Sequence, residues 1–154
     1  MCINEQHDIY KDTPIRYLGY ANEIGESFRA IIGKRWVNIS YGIATLYVIA
    51  DAVDKTYKSH KIYKHHPKYF QKVAYAGADT LTWQMLASVV IPGFTINRIC
   101  ALSTFLLRKS NMVSSTASRM IVPGIALASI PFIVKPIDHF TDYLLNNSLR
   151  KIKV

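Results

Sequence analysis

The chain has 154 residues, enough for one well-buried domain and too few for two. Half of them are hydrophobic, ten are Tyr and two are Trp, while charged residues make up 19%, below the about 25% usual for soluble domains. Composition therefore points away from a polar soluble module. The two cysteines, Cys2 and Cys100, suggest neither a disulfide framework nor a zinc site, and the formal charge of +9 is clustered.

The opening MCINEQHDIYKDT lacks the apolar core of a secretory signal. It carries Glu5, Asp8 and Asp12 with no Arg before Arg16, unlike a cleavable mitochondrial presequence, so any organellar address is expected to be internal. Thr13-Pro14 predicts a helix start, with Thr13 as cap and Pro14 where a missing N–H costs nothing. Apolar residues at Leu18, Ala21, Ile24, Phe28 and Ile31/Ile32 predict an amphipathic helix over 14–32 that Gly33 stops. Its mixed charge favours packing on protein over a basic lipid-binding stripe.

Residues 36–50, WVNISYGIATLYVIA, are uncharged, and a first span is predicted over 36–53 with Asp51 as its boundary charge. The apolar part is short, since crossing a hydrocarbon layer of about 30 Å takes about 20 helical residues. The basic segment 55–72, KTYKSHKIYKHHPKYFQK, spaces Lys55, Lys58, Lys61, Lys64, Lys68 and Lys72 by three or four, among tyrosines and without an acid. Such stems lie along apolar surface with their charges in water, so a loop contacting anionic lipid headgroups is expected. His60, His65 and His66 have no carboxylate or thiol neighbours there, and no metal site is expected.

Eighteen uncharged residues, Thr80 to Asn97, give a second span over 79–98, with Asp79 and Arg98 at its ends and a kink at Pro92-Gly93. An Arg at the bilayer centre costs about 2.5–3.5 kcal/mol, which an edge position avoids. A third span is predicted over 120–137. Pro123-Gly124 and Pro131 break it, and small residues such as Ala126 and Ala128 permit close helix contact. An amphipathic basic tail follows over 138–154.

The fold class expected is all-α, a small multi-pass helical membrane protein in one domain, with three Pro/Gly-kinked spans and the N-terminal amphipathic helix. Lys and Arg number nine on one side of three spans and ten on the other, a tie that gives no orientation. No phosphate loop, nucleophile elbow, HExxH or CxxC pair occurs. The pairs Asp51/Asp54 and Asp138/Asp142 read as boundary and helix-end charges. No catalytic residue, cofactor or enzyme activity is expected.

Four stretches taken together carry a resemblance: DTPIRYLGYANEIGESFR (12–29), SYGIATLYVIADAVDK (40–55), DTLTWQMLASVVIPGFTINR (79–98) and IPFIVKPIDHFTDYLLNNSLRK (130–151). They resemble the mitochondrial fission process protein family, also called the mitochondrial 18-kDa protein, with RYLGYANEIGE and IPGFTINR the most specific parts. The resemblance implies a multi-pass protein of the inner mitochondrial membrane that promotes mitochondrial fission, with links to apoptosis and cell survival. It supplies no catalytic residues and does not cover 56–72 or 104–120. The function expected is non-enzymatic, through membrane lipids or protein partners of the fission machinery, with oligomerisation compatible. The alternative is a small inner-membrane channel or solute carrier, since Pro/Gly-broken spans line binding sites in such proteins. Nucleic-acid binding by a soluble domain is disfavoured by the uncharged run.

Overall fold

Proline shapes this chain less than its sequence suggests. The computed structural model describes residues 14–111 and 113–151, apart from the side chain of Arg16. The expected cap Thr13 and the last three tail residues lie outside that range. Pro14–Tyr20 forms a 3-10 turn, followed by α1 (Ala21–Ser27) and α2 (Arg29–Tyr63). Next come α3 (Tyr69–Gln84), a π-helical segment (Met85–Val90), α4 (Ile91–Lys109), α5 (Ser115–Asn147) and a closing 3-10 turn (Leu149–Lys151). No strand occurs among the described residues.

Tyr69–Lys109 is a continuous rod of 41 residues, and it, α2 and α5 are each long and apolar enough to cross a membrane. At 1.5 Å per residue these helices are about 50–60 Å long and outrun the hydrocarbon layer at their ends. Pro123, Pro131 and Pro136 sit inside α5 without ending it. Each removes one N–H, a loss tolerated where neighbouring helices re-satisfy the freed carbonyl. At Pro92, where a kink is expected, the rod stays helical and a wider π turn just before the proline accommodates the missing bond.

Three local expectations change. The amphipathic helix over 14–32 is instead a 3-10 turn, α1 and the first turn of α2, separated at Phe28. Its orientation is also inverted: α1 buries Asn22, Glu23, Gly25, Glu26 and Ser27, while Ile24, Ile31 and Ile32 face outward. Gly33 bends the chain rather than stopping it, at φ 79° and ψ 168°, a region in which only glycine is comfortable. The basic segment is mostly two helix ends, leaving a connection of residues 64–68. Ion pairs one turn apart, Lys55 to Asp51 at 2.9 Å and Lys58 to Asp54 at 2.7 Å, carry α2 past its apolar stretch. Pro67, which cannot continue a helix, lies in the turn.

Side chains are distributed inside out. A small apolar core of Ala44, Tyr47, Val48 and Val89 joins α2 to the π segment. Around it lie fully buried carboxylates and amides, while Trp36, Leu46, Phe94, Phe105 and Phe132 point outward, Phe132 79% exposed. A soluble protein of this size rarely shows so much large apolar surface.

Candidate functional site

The polar interior falls into layers along the rod. In the first, Glu26 of α1 is a hub joining three helices. Its carboxylate accepts Arg29 Nε at 2.8 Å and Nη2 at 2.5 Å, Tyr41 Oη at 3.1 Å and Asn97 Nδ2 at 3.1 Å. Gly93 permits this, because a Cβ there would collide with the Tyr41 ring. Burial alone would raise the Glu26 carboxyl, but the Arg29, Asn97 and Tyr41 donors, with the Arg29 charge, hold it below the ordinary value.

In the second layer Asn22 donates Nδ2 to the Val89 carbonyl at 3.1 Å, filling a backbone acceptor in the π segment. In the third, Asp51 is 0% exposed, and its Oδ2 accepts Lys55 Nζ at 2.9 Å and Gln84 Nε2 at 2.5 Å. Gln84 in turn accepts Ser88 Oγ at 2.7 Å. The fourth layer is a clamp from the closing turn. Arg150 grips Asp79 through Nε at 2.9 Å and Nη2 at 3.1 Å, and reaches Asp142 at 2.9 Å, where Trp83 Nε1 also donates at 3.0 Å.

A cavity of about 320 Å³ lies where the elements of these layers meet, lined by Glu23, Gln84, Ser88, Asp138, Asp142 and aromatic rings. Glu23 is 1% exposed, and its Oε2 has no hydrogen-bond partner. Burial pushes its carboxyl up to about 8, so at neutral pH it is largely the uncharged acid. Glu23 can therefore offer a hydrogen bond to a polar guest in the cavity, or exchange a proton.

The residues singled out in the sequence are dispersed. Asp51 and Asp79 are drawn into separate layers, Asp79 as the eleventh residue of the rod. Arg98 is exposed inside α4, its guanidinium 5.0 Å from the Phe94 ring. Of the six lysines, Lys55 and Lys58 pair within α2, Lys61 lies over Tyr57 and Lys72 over Tyr63. Lys64 and Lys68 are exposed in the turn. The sequence reading missed Glu23, Glu26, Asn97, Gln84 and Arg150 as members of a site. Their signal was the pattern Asn22, Glu23, Glu26, Ser27, one polar helix face, and lone amides in otherwise apolar runs. Among the described residues no group of three or more His, Cys, Asp or Glu could hold a metal ion.

Comparison with known proteins adds a lineage to this architecture. The sequence profile described as Mitochondrial 18 KDa protein matches residues 9–76. Mitochondrial fission process protein 1 of Danio rerio is 49% identical over 145 residues, covering 94% of this chain and 88% of the relative. The human protein of that name is 44% identical over 147 residues, covering 96% and 89%. That of Caenorhabditis elegans is 46% identical over 146 residues, covering 94% and 88%. No solved structure matches the chain.

Proposed function

The chain belongs to the mitochondrial fission process protein family, and from that premise we propose that it is a multi-pass protein of the inner mitochondrial membrane that promotes mitochondrial fission. It acts without catalysis, through lipids and protein partners of the fission machinery, and its loss bears on cell survival and apoptosis. The observation that carries the membrane part is the inverted distribution of side chains. Three helices of span length present large apolar residues outward and keep Glu23, Glu26, Asp51 and Thr141 inside. Such a surface is stable against lipid and not against water.

Lys61, Lys64, Lys68 and Lys72 cluster at the α2–α3 tip, where their stems and the neighbouring tyrosines suit an anionic membrane surface. Lys55 and Lys58 contribute less there, being paired to aspartates. The test is re-expression of the tagged chain in cells depleted of their own relative. The expected result is a carbonate-resistant protein, protected from protease in intact mitochondria, that returns an elongated network to normal division. An extractable protein, or a network unchanged by its return, overturns the reading.

The cavity at Glu23 favours a second reading, a small channel or carrier in the same membrane. Selective flux of a small cation in liposomes, lost in Glu23→Gln, would promote it over the first.

A further inference from the structure

A second, larger cavity lies at the opposite end of the bundle from the lysine tip. The three long helices alternate in direction, so the start of α2, the end of α4 and the start of α5 share that end. Each delivers one arginine to the cavity wall: Arg29, Arg108 and Arg119. The cavity measures about 450 Å³ and runs along α4 from Asn97 to Arg108, about 16 Å at helical rise. The acidic residue in its lining is Glu26, at the Asn97 end and already committed to Arg29, Tyr41 and Asn97. Among the described residues, no hydrogen bond or ion pair engages the guanidinium groups of Arg108 and Arg119.

Depth identifies the occupant. Arg108 is the last residue but one of the Tyr69–Lys109 rod, whose ends outrun the hydrocarbon layer. Arg108 therefore stands at headgroup level, with Arg119 beside it across the α4–α5 connection. Below them the slot is walled by Ala30, Ala101, Val122 and Pro123, interspersed with Ser118 and with Thr104, whose hydroxyl already donates to the Cys100 carbonyl at 2.8 Å. The outer face of α4 continues that surface with Leu102, Phe105 and Leu106, all exposed.

We propose that this slot is a binding site for an anionic phospholipid, its phosphate held between Arg108 and Arg119 and its glycerol and upper acyl chain lying in the apolar slot. Guanidinium groups suit phosphate because their planar donors meet two oxygens at once. Ser115, in the opening turn of α5, supplies a further donor at the mouth. This site is separate from the lysine tip, and it rests on the reading that the chain is embedded in a membrane.

Native mass spectrometry of the full chain in detergent tests it, with diacyl phosphatidylglycerol and phosphatidylcholine titrated separately, and glycerol 3-phosphate and inorganic phosphate as soluble arms. One phosphatidylglycerol retained per chain in preference to phosphatidylcholine is expected. Arg108→Gln with Arg119→Gln should weaken retention by at least about tenfold, the value of one lost charge-assisted contact. A charge-matched Lys135→Gln with Lys151→Gln should not. Ala101→Phe fills the slot without touching a charge and should also lose the lipid, which keeps the test open if the arginine variant fails to fold. Equal retention in variant and parent overturns the proposal. So does displacement of the lipid by the soluble phosphates at matched concentration, which would mark a phosphate site without a lipid slot. Failure of the membrane reading looks different: the protein would be monodisperse without detergent.

Discussion

Glu26→Gln is the sharpest probe of the polar interior, because it keeps the shape of the side chain and removes only its charge. The parent carboxylate accepts four donor contacts, two from Arg29 and one each from Tyr41 and Asn97. A glutamine offers one acceptor oxygen and turns an NH2 group toward donors, so at least two contacts are lost. Hydrogen bonds to charged groups are worth about 1.5–3 kcal/mol each. Arg29, with 38% of its side chain exposed, regains part of its share from water, which places the expected cost near about 2–4 kcal/mol. For a chain of this size that lowers Tm by roughly 5–15 °C. The assay is thermal unfolding of the purified protein in detergent, followed by tryptophan fluorescence. Pairing the change with Asn97→Leu in a double-mutant cycle should show a coupling of about 0.5–3 kcal/mol, as expected for residues in one network. Full additivity, or a Tm unchanged by Glu26→Gln, would mean that the hub does not hold α1 to α4.

Gly33→Ala should cost about 1–3 kcal/mol in the same melt, because its backbone angles exclude other residues although nothing lies within 4 Å to clash. Gly42→Ala, equally open but helical, should instead be neutral or stabilising by up to about 1 kcal/mol. Arg150→Gln should release the closing turn, at about 1–2 kcal/mol, and speed C-terminal cleavage in limited proteolysis; with Asp79→Asn already present, most of that effect should be gone. The Glu23 carboxyl is raised on folding from 4.5 to about 8, so the group costs nothing below pH 4.5 and costs progressively more as pH rises to 8. Glu23→Gln should therefore gain on the parent by up to about 1.4 kcal/mol per pH unit across that window, and equal pH–stability curves would refute it.

Much of the helical plan was legible. The apolar stretches at 36–53, 79–98 and 120–137 each fall inside a long helix, because length and hydropathy act locally. Proline was read as a kink at Pro92 and as a break at Pro123 and Pro131, because a missing N–H is visible in the sequence and its local repair is not. Here Pro92 is absorbed by a π turn, and the three prolines of α5 leave it continuous. The charged groups around Glu26 were visible but assigned to the wrong side. Periodicity reports that α1 has two faces, and which face turns inward depends on the surrounding solvent. Contacts such as Asn22 to Val89 and Arg150 to Asp79 join residues 67 and 71 positions apart, and no local pattern announces them. The lysine series looked like a loop because its charge masked the aspartate–lysine pairs that keep it helical.

The tie between Asn22 and Val89 has a consequence for how the protein is made. The N-terminal arm emerges first from the ribosome, yet the carbonyl it must meet belongs to a helix synthesised long afterwards. Until that helix is in place, Asn22, Glu23 and Glu26 must wait in water, since lipid would reject them. The bond can form only once the rod presents the Val89 carbonyl, so the seating of α1 is a late step of assembly although α1 comes early in the chain.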